Sequence, residues 1–266
     1  MRRISRWALQ FLLFLFLTVA TQIGGIILLF SLAISVNIKK EFRFKKSLIF
    51  IGIYLIVTLA LVPIIAPLFG REKVDHSHRI RPTTYATVLL NRNYVKPRLN
   101  ALLQNAAKQL KGSSIELRYL DASFPFFDGF PLIPHLSHDD GEKIDLSFVY
   151  TEPREKIDSH KKKSISGYGV FEGPIGEELD QIKVCKRRGY WHYDYARFLT
   201  FGSINDEIEF SIPLNQKMIN VILNEKLLGK LFIEPHLRDR LNLKSSKVRF
   251  HGCQAVRHDD HVHLEL

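Results

Sequence analysis

Two short stretches of this chain hold the side chains best suited to chemistry. The closing nine residues run from His258 through Asp259, Asp260, His261, Val262 and His263 to Leu264, Glu265 and Leu266. Read as a strand, they put Val262, Leu264 and Leu266 on one face and His261, His263 and Glu265 on the other. The first face suits a core. The second presents two imidazoles side by side, as a metal site on a sheet needs. The other stretch, Ser137 to Asp145, reads SHDDGEKID. A catalytic zinc site takes three His, Asp or Glu ligands and keeps one position for water. If the strand opening at Asp145 lies beside the closing strand with polar faces aligned, His138, Asp145 and His263 converge as ligands. Water held there becomes acidic near neutral pH. His261, two residues from His263 on the same face, is placed to accept its proton.

The elements that must position these residues follow from periodicity. Pro97 to Leu110 has apolar residues at helical spacing, with Pro97 in the first turn and Gly112 just past the end. Ser114 to Asp121 and Lys143 to Tyr150 alternate as strands. Between them, residues 122–142 form a loop rich in Phe, Pro and Gly, a type of segment that often carries function. Asn215 to Lys226 reads as a helix with Met218, Ile219, Ile222 and Leu223 inward. Lys230 to Glu234 reads as a short strand, Pro235 to Leu241 as a helix start, and Val248 to His251 as a strand. Residues 151–202 are basic and aromatic, with no clear periodicity, and are expected as an insertion over the site. The order of elements implies an α+β class with a mainly antiparallel sheet and flanking helices.

Two uncharged runs precede this domain. Residues 7–35 and 47–68 each exceed the ~20 apolar residues that a spanning helix needs, so two transmembrane helices are expected. The expected organisation is an anchor over 1–70, a polar linker over 71–95 and a soluble domain over 96–266 that holds both motifs. His76 and His78 fall in that linker among charged residues and read as solvated. The net charge of +11 concentrates at the anchor, where the first 70 residues hold eight Lys/Arg and one Glu. The remainder holds 30 Lys/Arg against 26 Asp/Glu without a basic aromatic stripe, which argues against a nucleic-acid partner. Five Lys/Arg in 37–46, against three before the first run, favour that loop in the cytoplasm and both termini outside. Cys185 and Cys253 are open to two readings, one disulfide or two buried thiols.

With these motifs in hand, SHDDGEKID followed by the closing HDDHVH resembles the penicillin-insensitive murein endopeptidases. These are zinc metallopeptidases related to D-alanyl-D-alanine peptidases and lysostaphin-type enzymes. PHLSHDDGEKIDLSF is similar to that family's Pro-His-x-Ser-His segment, and KLFIEPHLRDRL to its strand-Pro-helix unit. The resemblance implies Zn2+ on His138, Asp145 and His263, with His261 as base or transition-state stabiliser and His258 lining the site. Asp260, three residues before His263, is a rival base. The implied substrate is the peptide cross-link of peptidoglycan. Members of that family are usually exported and soluble, whereas the two expected spans here place the chain in the cytoplasmic membrane, in contact with the bilayer, and the loop charges place the domain on the extracytoplasmic side, where a wall substrate lies. The alternative is a non-catalytic zinc module that recognises wall peptide or a partner protein.

Overall fold

The computed structural model describes residues 2–38, 42, 44–153 and 157–266. They form two compact units that interleave along the chain. One comprises Met1–Val74, Ala86–Pro97 and Ala122–Gly141; the other comprises Asp75–Tyr85, Arg98–Asp121 and Glu142–Leu266.

In the first unit, the uncharged run over 7–35 is not one span. It forms helices α1 (Arg2–Thr21) and α2 (Gly24–Asn37), broken where Gln22 takes φ 67°. The break has a local cause. The Thr21 hydroxyl accepts a bond from Gly24 N at 2.8 Å, and α2 then folds back on α1. A Cβ on Gly25 would meet Thr18 Oγ1 at 2.0 Å, so only glycine allows this approach. Trp7 and Gln10 share a crevice with Leu29 and Leu32, as an antiparallel hairpin requires. Helix α3 (Lys45–Phe69) has 25 residues, and among the described residues it alone is long and apolar enough to cross a membrane. The expected pair of spans is thus corrected to one candidate span beside an apolar hairpin.

Residues 71–95 are folded rather than a free linker. Glu72–Lys73 pairs antiparallel with Tyr94–Val95, and Ile80–Pro82 is a strand of the second unit. The loop Ala122–Gly141 is closed at its base in the first unit. Tyr94 and Ser123 exchange backbone bonds at 3.0 Å, and Lys96 N donates to the Gly141 carbonyl at 2.8 Å.

The second unit is built on six strands, β1 (Ile80–Pro82), β2 (Leu117–Tyr119), β3 (Lys143–Ser147), β4 (Lys230–Phe232), β5 (Val248–Arg249) and β6 (His261–Glu265). Their order across the sheet is β5-β4-β6-β3-β2-β1. The three central pairings are antiparallel, while β5 runs parallel to β4 and β1 parallel to β2, so the sheet is mixed, with antiparallel pairings in the majority. Val262 and Leu264 are fully buried, as are Ile144, Leu146 and Leu231. Helix Ile212–Leu223 buries Met218, Ile219, Ile222 and Leu223, the face that its periodicity predicts. Asn215, on the same helix, accepts from Val149 N at 2.8 Å and donates to Val149 O at 2.7 Å, which locks the helix to the chain just beyond β3. A second, three-stranded sheet of Tyr150–Glu152, Ile157–Ser159 and Glu209–Phe210 begins the insertion.

Candidate metal centre

The centre of the sheet positions the functional side chains. Antiparallel pairing of β3 and β6 sets His263 opposite Asp145 and His261 opposite Ser147. The apolar partners on both strands fill the core, so the alternation forces Asp145, His261 and His263 onto the other face. That face is covered too: Asp145, His261 and His263 are all buried. Asp145 Oδ1 lies 2.8 Å from His263 Nδ1 and 3.6 Å from His261 Nε2. Its Oδ2 accepts from the Tyr168 hydroxyl at 2.8 Å.

His261 belongs to a second pair. Its Nδ1 lies 2.5 Å from Asp260 Oδ1, while Asp260 Oδ2 accepts from Gly169 N at 2.6 Å. A carboxylate can only accept here, so Nδ1 carries the hydrogen. Burial disfavours the imidazolium of His261, but Asp145 and Asp260 outweigh it and raise the group to about 9. His258 behaves oppositely. It is buried and faced by three other imidazoles, His261, His263 and His251, and it is pushed well below the usual histidine range. The rings of His258 and His261 have centroids 4.9 Å apart, and His258 and His263 5.7 Å. His251 joins them at 5.2 Å from His258 and stacks on His263 at 6.0 Å.

The insertion supplies the cover. Tyr168 and Gly169 come from it, as do Glu172 and Tyr193. Gly169 has φ 82°, and a Cβ there would meet the Ala196 carbonyl at 2.2 Å, so no other residue brings its N–H to Asp260 without displacement. Behind it, Glu172 N donates to the Asp259 carbonyl at 2.7 Å. Arg257 binds Asp259 through both carboxylate oxygens and lies over the Phe171 ring. Tyr193 donates to Glu234 Oε1 at 2.6 Å, which also accepts from His258 N at 3.0 Å. Burial first, then the Asp259 charge, raises Glu234 to about 7. Cys185 and Cys253 form a disulfide that ties the insertion helix Gln181–Arg187 to the segment before β6.

His138 belongs to the first unit, where its Nδ1 donates to the Ala122 carbonyl at 3.0 Å and its ring stands 5.5 Å from that of His135. A carbonyl partner fixes the hydrogen on Nδ1 and the lone pair on Nε2, which is the arrangement of a ligating histidine. Within eleven residues of chain, His135, His138 and Asp145 make a donor group that could hold a metal ion. The donor types suit several divalent ions and do not choose among them.

No protein-family model and no curated protein matches this chain.

Of the residues expected from sequence, β3 and β6 bring Asp145, His261 and His263 together, with Asp260 and His258 alongside. Five contributors went unassigned: His135, Tyr168, Gly169, Glu234 and His251. His135 had a signal, since it stands three residues before His138. Tyr168 and Gly169 had none, because they reach Asp145 and Asp260 from an insertion without periodicity.

Proposed function

We propose that this chain is a membrane-anchored zinc peptidase that hydrolyses amide bonds in the peptide cross-links of peptidoglycan. Its ligands are His138, Asp145 and His263. The observation that carries the reading is the Asp145–His263 pair, set by strand register, beside a His261 whose other nitrogen is held by Asp260. The donor atoms of His135, His138 and Asp145 lie within 4.8 Å of one another, and His263 Nδ1, which donates to Asp145 Oδ1 at 2.8 Å, would join them by giving up that hydrogen, as a histidine ligand must, so the residues fit the ion.

Bound zinc would acidify a water and polarise the scissile carbonyl. The chain's own part is proton handling. Asp260 keeps the hydrogen on His261 Nδ1, so Nε2 is the accepting nitrogen. A cation sharing Asp145 would weaken one of the two charges that raise His261, moving it toward the neutral form that a base requires. Asp260 therefore acts as the orienting carboxylate rather than the base. Tyr168 steadies Asp145, and His258, kept neutral, lines the site.

The substrate class rests on the resemblance of SHDDGEKID and HDDHVH to murein endopeptidases. The location has independent support. A disulfide belongs to an oxidising compartment. The apolar faces of α1 and α3 leave Trp7, Phe11, Phe16, Leu48, Ile56 and Ile64 exposed, as a bilayer would require. Five of the eight Lys/Arg among residues 2–46 fall in 37–46, ahead of α3, and the positive-inside rule favours the cytoplasm for them. The end of α3 is then outside. The near-complete burial of His261 and His263 favours a second reading, a zinc module that binds without cleaving.

The test uses the full chain in detergent with cross-linked muropeptides, with and without chelator. One zinc per chain and chelator-sensitive cleavage are expected, and His263→Ala should abolish both. Retention of zinc and cleavage by His263→Ala would overturn the assignment, and zinc without product would establish the binding module.

A further inference from the structure

Arg71 is the second residue after the membrane helix, and its side chain is fully buried, which is unusual for arginine. The helix end aims it. Gly70 takes φ 71°, and Arg71 N donates back to the Ala66 carbonyl at 3.2 Å, so the chain turns and the side chain enters the loop Ala122–Gly141. There Nη1 donates to the Phe124 carbonyl at 2.7 Å. Nη2 donates to the Asp139 carbonyl at 3.2 Å and pairs with Asp128. The guanidinium thus joins the outgoing arm of the loop, its tip and its returning arm.

Other features serve the same joint. Gly141 has φ 78°, and a Cβ on it would meet Arg71 Nε at 2.8 Å, so the glycine leaves the room that the guanidinium occupies. The Asp139 carbonyl also accepts from Gly129 N at 3.1 Å. Phe69 packs edge-on against Phe126 and Phe127, and Gln22, at the tip of the hairpin, accepts from Phe126 N at 3.0 Å. The loop has no regular secondary structure of its own. Its fixed points come from the exit end of the membrane segment.

We infer that Arg71 is a positioning residue that fixes the His135–His138 loop to the membrane anchor, so that the anchor is part of the metal centre. The carbonyl it grips belongs to Asp139, next to His138. A planar fork suits this task because it can hold two carbonyls and a carboxylate at fixed angles, which a lysine cannot. The inference rests on the zinc reading for its consequence, but its geometry lies wholly in the first unit.

The test compares the full chain in detergent with Arg71→Gln, Arg71→Lys and Gly141→Ala. Amide hydrogen exchange is followed over residues 122–141, and zinc affinity by competition with a chromophoric chelator. Arg71→Gln should speed exchange in 122–141 at least tenfold while leaving Lys143–Ser147 and Ile212–Leu223 as protected as before. Zinc affinity should fall by about 10- to 100-fold, the usual effect of removing a group that orients a ligand. Arg71→Lys, which keeps the charge, should recover little, and Gly141→Ala should reproduce the loss with Arg71 in place. At saturating zinc the kcat of Arg71→Gln should return toward that of the parent, because Arg71 touches no substrate. Unchanged loop exchange in Arg71→Gln, or full recovery by lysine, would overturn the clamp. If the parent chain binds no zinc, the peptidase reading fails, while the exchange result still decides the clamp.

Discussion

Replacing Asp260 with asparagine changes one atom and reverses the direction of a hydrogen bond. In the parent, Gly169 N donates to Oδ2 and His261 Nδ1 to Oδ1. The asparagine must keep its oxygen on Gly169 N, because the opposite rotamer would set two donors against each other. Its NH2 then faces Nδ1 and forces that nitrogen to accept. The hydrogen moves to Nε2, the nitrogen that should take the proton, and the base is disabled without moving any atom far. General-base catalysis is worth about 10²–10⁴ in rate, so kcat should fall by that factor while KM and zinc content hold. Asp260→Ala dictates no tautomer and should lose less. The assay is product release from cross-linked muropeptides, paired with metal analysis. Histidine NMR titration of the zinc-free chain gives a second readout, since the His261 value of about 9 should drop once Asp260 is neutral. An Asp260→Asn chain with parental kcat and full zinc would refute the tautomer argument and the role of His261 together.

Two further outcomes follow from the packing around the site. Glu234, raised to about 7, stabilises the fold fully only below its unfolded value near 4.5, and that contribution is lost as pH rises through 7. Glu234→Gln should therefore gain about 3 kcal/mol relative to the parent between pH 4.5 and 8; urea melts of the zinc-free chains at several pH values check this, and parallel curves would exclude it. The disulfide joins residues 68 apart. Replacing both Cys185 and Cys253 with serine should lower unfolding free energy by roughly 2–4 kcal/mol, and a thermal midpoint equal to the parent's would contradict a structural role for the bridge.

Much of the sheet and half of the site were legible in the sequence because they depend on local pattern. Alternation over Lys143 to Ser147 and His261 to Glu265 assigns apolar residues to one face and Asp145, His261 and His263 to the other. Once both strands are core strands, antiparallel register is the remaining choice. Helix Pro97–Gln109 was readable from its proline start and apolar spacing. The edges of the sheet were not, since strands of two or three residues such as Val248–Arg249 hold too little pattern to show their direction.

What the sequence determined by itself is what neighbours along the chain decide: two long apolar runs, an acidic histidine loop, and a closing strand with one apolar face and one face bearing His261 and His263. Only tertiary structure decided the rest. Hydropathy cannot see the break at Gln22, which depends on glycines fitting against Thr18 and Phe14 of the preceding helix. Residues 71–95 look polar and solvated, yet Arg71 is buried because two carbonyls and Asp128, distant in sequence, replace its water. The Asp260 carboxylate is held by Gly169 N, 91 residues earlier in the chain, while its other oxygen faces His261. The reason is common to all three. Composition and period report the faces of single elements, whereas hydrogen-bond direction and burial are set by whichever distant atoms the fold brings there.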